Sequence, residues 1–285
     1  MTSISRRKFL TASALAFGAA CLPCRVPVFA KSDKKFDISG TIFENDAPAA
    51  LWKWSREVDY YHKLPNGNVA CVICPNSCEL SDGDRSVCRS RVNMNGKLYT
   101  LAYGNPCAIH LDPIEKKPLF HFHPRSKALS IAATGCNFRC LNCQNWQISQ
   151  VKPETVRQYD LFPEAVVQKA KDNQAASIAY TYTEPTTYFE YMHDTEKIAR
   201  RNGIYNVWVS NGFINQEPLL DLCKVLDGAN VNLKSFSDEL YRKLNGGRLQ
   251  PVLDTFKTMH EQGVHFEMTT LVVPGYVDDP EMIKA

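Results

Sequence analysis

Three cysteines, Cys136, Cys140 and Cys143, stand at C-x3-C-x2-C spacing within TGCNFRCLNCQNWQIS (Thr134–Ser149). Three thiolates this close can converge on one metal centre, and Gly135 allows the tight loop that brings them together. The number three is informative. A structural zinc site is closed by four ligands, whereas a site with an open position does chemistry. Iron–sulfur clusters are usually held by four Cys thiolates, so a cluster on three leaves one iron free for another ligand. A group of reduced cysteines or a partial zinc site is the alternative.

A second set reads Cys71-x2-Cys74-x3-Cys78-x9-Cys88, with Pro75, Asn76, Gly83 and Asp84 between the thiols to make turns. Four thiolates can hold zinc or a second iron–sulfur cluster, and the spacing does not choose between them. Reduced structural cysteines are again the alternative. Cys107 and Cys223 are isolated and read as small buried hydrophobes. His121 and His123 lie two apart, on one face of any strand, without a third ligand nearby. They read as packing or surface residues.

The C-x3-C-x2-C motif after a strand resembles the signature of the radical S-adenosylmethionine (SAM) enzymes. The stretches DPIEKKPLFHFHP (Asp112–Pro124), GCNFRCLNCQNWQIS and NLKSFSDELYRKLNGG resemble, more narrowly, the radical SAM enzymes of the AmmeMemoRadiSam system, relatives of pyruvate formate-lyase activating enzymes. The resemblance runs from about Cys71 to Pro280. It implies a 4Fe–4S cluster on Cys136, Cys140 and Cys143 whose open iron takes the amine and carboxylate of SAM. An electron from the cluster would cleave SAM to methionine and a 5′-deoxyadenosyl radical, which takes hydrogen from a substrate. Asn142 departs from the family, where an aromatic residue before the third cysteine often packs the adenine.

The elements that must position these residues alternate. Strands are expected at Ala128–Ala133, Ser177–Thr183, Asn206–Asn211, Asn230–Lys234 and His265–Val273. Helices are expected at Pro163–Asp172, Pro185–Arg201, Glu217–Leu226, Asp238–Leu244 and Pro251–Gln262. Such alternation implies an α/β fold with a parallel sheet and right-handed crossovers. The resemblance makes it a partial (β/α)6 radical SAM barrel, with the chemistry at the C-terminal ends of the strands. Upstream, Lys97–Gly104 alternates like a strand. Leu51–Leu64 has helical spacing, with Leu51, Trp54, Val58 and Tyr61 on one face, which reads as packing. Asp112–Pro124, bounded by prolines, reads as an ordered extended connection.

The second barrel strand ends Tyr180-Thr-Tyr-Thr-Glu184-Pro185. Pro185 suits the first helical position and puts Glu184 at the helix mouth, where the dipole alone would also favour a carboxylate. This matches the position of the family's Gly-Gly-Glu-Pro motif, with Tyr182-Thr183 replacing Gly-Gly. The resemblance implies that Glu184 and the backbone around Thr183 meet the SAM amino group. Ser210 and Asn211 offer a hydroxyl and an amide where the family contacts SAM, and Gly212 permits close backbone approach. Lys234 would bring a cation to the barrel mouth for a carboxylate of SAM or substrate, unless it faces solvent. Asn232 stands where many relatives carry Asp. No catalytic acid or base is assigned, because the cofactor carries the chemistry of hydrogen abstraction.

Over 285 residues, 44% apolar and 22% charged is ordinary for a globular protein. Net charge is +3, but residues 1–30 hold Arg6, Arg7, Lys8 and Arg25 and no acids, so the remainder carries −1. Nothing in this balance suggests a nucleic-acid footprint. Eleven cysteines in short-range clusters favour metal binding over a disulfide scaffold. The start, Ser5-Arg-Arg-Lys-Phe-Leu10 followed by a short Ala-rich apolar run, reads as a twin-arginine signal peptide (1–30) and not as a stable membrane span. Val28-Phe-Ala30 would be its cleavage site, with lipid attachment at Cys21 or a basic tail as alternatives. Export to the periplasm conflicts with SAM chemistry, which belongs to the cytoplasm. Residues 31–126 are expected to form a Cys-rich module and connection, and 127–285 the barrel. That barrel reads as truncated after its fifth strand, since Asp278-Asp279-Pro280-Glu281 starts a helix with no stop signal behind it.

The expected activity is that of an activating-enzyme-like radical SAM oxidoreductase acting on a protein or small molecule, with an electron donor such as a ferredoxin or flavodoxin. The alternatives are an exported iron–sulfur electron-transfer protein without SAM chemistry and a structural zinc protein.

Overall fold

The computed structural model describes residues 43–44 and 47–284. The predicted signal segment, with its Val28–Ala30 cleavage site and Cys21, lies outside them. The first part of the described chain is a set of short antiparallel pairings. β1 (Phe43–Glu44) pairs with β2 (Ala47–Pro48). β3 (Arg56–Glu57) and β4 (Tyr61–Lys63) are edges of two separate sheets. The sheet of β4 continues through β5 (Val69–Cys71) and β6 (Glu79–Leu80). The sheet of β3 is completed by the hairpin of β7 (Arg91–Met94) and β8 (Lys97–Thr100), in the order β3-β8-β7.

Leu51–Leu64 is therefore not the helix its spacing predicts. Ser55 N donates to Trp52 O to close a turn, and β3 and β4 follow. Trp54 and Val58 are still buried, while Leu51 is exposed. Tryptophan, valine and tyrosine suit a strand as well as a helix face. Here cross-strand partners on β8 and β5 satisfy the backbone and decide the outcome.

The central sheet begins with β9 (Ala108–Pro113), which runs antiparallel beside β10 (Lys127–Ala132) with Ala108 opposite Ala132. β11 (Ser177–Tyr180), β12 (Tyr205–Ser210), β13 (Gly228–Asn232) and β14 (His265–Thr269) follow, each parallel to the one before. Parallel strands covered on both faces need continuous apolar or satisfied residues. β11 and residues 128–132 of β10 are accordingly buried throughout.

The covering helices are α1 (Trp146–Ser149), α2 (Pro163–Asp172), α3 (Phe189–Arg201), α4 (Gln216–Cys223), α5 (Asp238–Leu240), α6 (Leu249–Glu261) and α7 (Pro280–Lys284). α2 starts with a proline in its first turn and buries Val166, Val167 and Ala170 at helical spacing. α3 carries Glu190 in its first turn and Arg200 and Arg201 in its last, matching the helix dipole.

Each expected barrel strand is present; the first and third end one residue early and the others two to four, where the chain turns out of the sheet to build the site. The expected helix at Pro185 starts as a tighter turn, Pro185–Tyr188, before α3. Asp112–Pro124 is not an extended connection. Its first two residues end β9, and a helical turn at Ile114–Lys116 and further bends follow. His121 and His123 are off any strand. His121 lies 3.6 Å from Glu267, and His123 stacks on Tyr205 at 4.2 Å between ring centroids. Among the described residues, no helix is long and apolar enough to cross a membrane.

Candidate functional site

The C-x3-C-x2-C loop leaves the C-terminal end of β10, where a parallel α/β sheet presents its chemistry. Its base is pinned by Gly135 N donating to Ile148 O at 3.1 Å and Glu184 N donating to Gly135 O at 3.4 Å. Its middle is laced to the wide turn Tyr241–Asn245, with Arg139 N donating to Asn245 O (2.8 Å) and Leu141 N to Leu244 O (2.9 Å). Phe138 is fully buried beneath the loop, its ring 5.0 Å from Phe213 and 6.2 Å from Tyr241. Leu141 at the tip is 78% exposed. The loop thus has a dry floor and an open rim.

Each thiol in the loop has a polar neighbour. Phe138 N donates to Cys136 Sγ at 3.4 Å, and Asn245 Nδ2 donates to Cys140 Sγ at 3.2 Å. Cys143 Sγ and Ser149 Oγ share a hydrogen bond of 3.3 Å. Burial, with the Glu184 carboxylate nearby, pushes the Cys136 thiol well up. Burial also raises Cys140, against the opposing pull of Lys234 and Asn245. All three are free of disulfides. Donors aimed at sulfur and neighbouring cations are what an anionic thiolate-held cluster needs, so the donor set fits a 4Fe–4S group. Among the described residues, no three His, Cys, Asp or Glu side chains stand in metal-holding geometry.

The proposed SAM-contacting residues come together around Glu184. Ser210 Oγ donates to Glu184 Oε1 at 2.8 Å, and Asn211 N donates to Oε2 at 2.9 Å. Thr186 donates to Oε1 through N (3.1 Å) and Oγ1 (2.7 Å). Burial pushes the Glu184 carboxyl above its ordinary range despite these donors. Glu184 is therefore both the cap of the turn at Pro185 and the tie between the ends of β11 and β12. Thr183 Oγ1 donates to Ala133 O at 2.6 Å, and Asn211 Nδ2 donates to Asn137 Oδ1 at 2.8 Å. Lys234 is half-buried, and its Nζ donates to Asn232 Oδ1 at 3.2 Å, so it does not simply face solvent.

The second cysteine set abuts this site. Cys71, Cys74, Cys78 and Cys88 line one cavity whose wall also includes Asn137 and Thr187. Ser90 Oγ donates to Thr187 O at 3.3 Å, and Asn76 Nδ2 donates to Asn137 O at 2.8 Å. At Gly135 (φ +114°) a Cβ would lie 2.5 Å from the Cys88 carbonyl oxygen, so only glycine permits this approach. Cys107 and Cys223 are half-buried, and burial raises both thiols to about 11.

Sequence reasoning missed several residues of the site. Asn137 and Asn245 anchor the loop and carry no motif of their own. Arg89 sits in a left-handed turn (φ 72°), with Nη2 donating to Gln150 Oε1 at 3.0 Å. Its Nη1 is buried without a partner among the described residues. Burial disfavours its charge, while the sulfurs of Cys136 and Cys88 favour it. Its place one residue after Cys88, in a set read as a separate metal site, was the available signal.

The sequence matches the family model of the Radical SAM superfamily over residues 130–284. An uncharacterised protein of Methanocaldococcus jannaschii is 46% identical over 224 residues, covering 79% of this chain and 66% of that protein. The pyruvate formate-lyase 1-activating enzyme of Escherichia coli K12 is 29% identical over 153 residues, covering 52% of this chain and 61% of that enzyme. A solved domain of a pyruvate-formate lyase-activating enzyme from Bacteroides vulgatus aligns with a TM-score of 0.36 at 16% identity, over 38% of this chain and 67% of that one. The chain thus spans just under two thirds of the length of these curated relatives.

Proposed function

We propose that this chain, which belongs to the radical SAM superfamily of enzymes, is an activating-enzyme-like radical SAM oxidoreductase of the AmmeMemoRadiSam type. Cys136, Cys140 and Cys143 would hold a 4Fe–4S cluster. Thr183, Glu184, Ser210, Asn211 and Lys234 would form the wall that receives SAM. When bound, these two groups supply a one-electron cleavage of a carbon–sulfur bond that yields a radical able to take hydrogen from a substrate. The observation that carries the reading is the convergence, at the ends of adjacent parallel strands, of three hydrogen-bonded thiols and the Glu184–Ser210–Asn211 tie.

The chain's own residues have definite tasks. The donors from Phe138 and Asn245 orient the Cys136 and Cys140 thiols and temper their negative charge, and the Ser149 hydroxyl positions Cys143. Glu184 fixes the end of β12, so the Ser210–Asn211 backbone is held rigid beside the loop. Lys234 supplies a cation for a carboxylate, with Asn232 holding its ammonium in place. Phe138, Phe213 and Tyr241 exclude water from below. The stretches around Asp112–Pro124 and Asn232–Gly247 support the narrower assignment. A ferredoxin or flavodoxin would supply the electron, and a protein or small molecule the hydrogen.

Electron paramagnetic resonance of the anaerobically reconstituted, reduced full chain tests the reading. SAM should change the spectrum of the reduced cluster, and Cys140→Ala should abolish the cluster signal. A spectrum unaffected by saturating SAM would reject the proposed open iron.

A further inference from the structure

The four-cysteine set has a construction that the radical chemistry does not use. Cys71 ends β5, and Cys74 and Cys78 lie in the turn to β6, where Cys71 N donates to Cys78 O at 2.9 Å and Ser77 N to Cys74 O at 3.1 Å. Cys88 enters from a separate turn before β7, closed by Arg89 N donating to Ser86 O at 2.9 Å. Two turns therefore present four free thiols to one cavity of about 10 Å³. That volume is about one water-sized sphere, room for a single ion once the four thiols, which do not yet stand in metal-holding geometry, close around it. A cube of four irons and four sulfides needs several times more.

The second observation is Arg91. It is wholly buried, and its Nη2 donates to Glu190 at 2.8 Å. Its Nε and Nη1 are buried without partners among the described residues. Its charge acts on Cys71 and Cys88. Buried donors are normally satisfied, and neutral thiols are poor acceptors. Thiolates on a metal ion would accept from them. The hydroxyls of Ser86 (3.0 Å) and Ser90 (3.3 Å) are likewise within hydrogen-bond range of Cys88 Sγ.

We propose that Cys71, Cys74, Cys78 and Cys88 bind a single zinc ion as a tetrathiolate, with Arg91 donating to the thiolate sulfurs. Binding exchanges protons for metal. Four thiols lose their protons to solvent, four Zn–S bonds form, and nothing is oxidised or reduced. The resulting −2 centre gives Arg91 its missing acceptors. Zinc here would also lock the Cys88 carbonyl against Gly135 and so brace the loop of Cys136, Cys140 and Cys143. The bracing role rests on the cluster reading of that loop, whereas the zinc assignment does not.

The test uses the full chain carrying Cys136→Ala, Cys140→Ala and Cys143→Ala together, so that the other site contributes no metal. Elemental analysis of this protein should give about one zinc per chain, with negligible iron and acid-labile sulfide. Adding Cys74→Ser should lower zinc at least tenfold, while Cys107→Ala should leave it unchanged. Should the Cys74→Ser protein fail to fold, cobalt(II) exchanged into the triple variant gives an independent reading. Intense tetrahedral d–d bands with thiolate-to-cobalt charge transfer are expected. Absence of zinc from the triple variant, iron with sulfide in its place, zinc retained after Cys74→Ser, or a six-coordinate cobalt spectrum would each overturn the proposal.

Discussion

At the residue scale, the site is organised by side chains whose hydrogen bonds are spent on one another. Glu184 accepts from Ser210, from Thr186 and from the Asn211 backbone, so its carboxylate acts through the strand ends it ties together. Arg89 is the contrasting case, a guanidinium near both cysteine sets whose buried Nη1 has no partner among the described residues. A cation near a thiolate-held cluster stabilises its more negative, reduced form. Arg89→Gln should therefore make the cluster's reduction potential more negative by tens of millivolts, about 59 mV being tenfold for one electron. Arg89→Lys should recover part of the shift. Potentiometric titration followed by paramagnetic resonance measures both, and identical potentials in all three proteins would remove Arg89 from this role.

At the element scale, the antiparallel edge strand β9 is joined to the site through Asp112. Lys117 Nζ donates to Asp112 at 2.6 Å and Lys116 Nζ at 2.9 Å, and the Tyr182 hydroxyl donates to it as well. Burial works against the charged carboxyl, but these three partners hold it well below the ordinary value of 3.8. A folded-state pKa below the unfolded one stabilises the fold above the unfolded value, and that stability is lost as pH falls through the folded value. Asp112→Asn should lower the melting temperature by a few degrees at neutral pH. The difference from wild type should shrink as pH falls below 3.8. Melting curves across this range measure it, and a difference independent of pH would show that the ionised carboxylate is not what holds β9.

Legibility in the sequence also differed by element. β10 and β11 were readable because strands buried on both faces are near-continuously apolar, and α2 because proline and its apolar spacing agree. β9 was hidden because at a sheet edge its Ile109 is only half-buried and His110 and Leu111 are exposed, which leaves little burial pattern. Leu51–Leu64 misled because aromatic and β-branched residues at helical spacing serve a strand equally well.

At the scale of the whole molecule, the two cysteine sets were legible as motifs, but their contact was not. Nothing in the spacing of Cys71–Cys88 places it beside Asn137, Thr187 and Gly135. That contact follows from packing the short antiparallel sheets against the mouth of the parallel one, a long-range event without a local signature. Ser210, Asn211 and Glu184 could be assembled in advance only by family likeness, because their shared hydrogen bonds join strands that are distant in sequence.

The central claim is that Cys136, Cys140 and Cys143 support reductive cleavage of SAM. The full chain should be reconstituted anaerobically with iron and sulfide, supplied with SAM and a strong reductant, and assayed for 5′-deoxyadenosine beside Cys140→Ala. The account predicts product that depends on both SAM and reductant from the unaltered chain, and none above background from Cys140→Ala. Absence of product from a chain carrying an intact cluster, or equal product from Cys140→Ala, would contradict it.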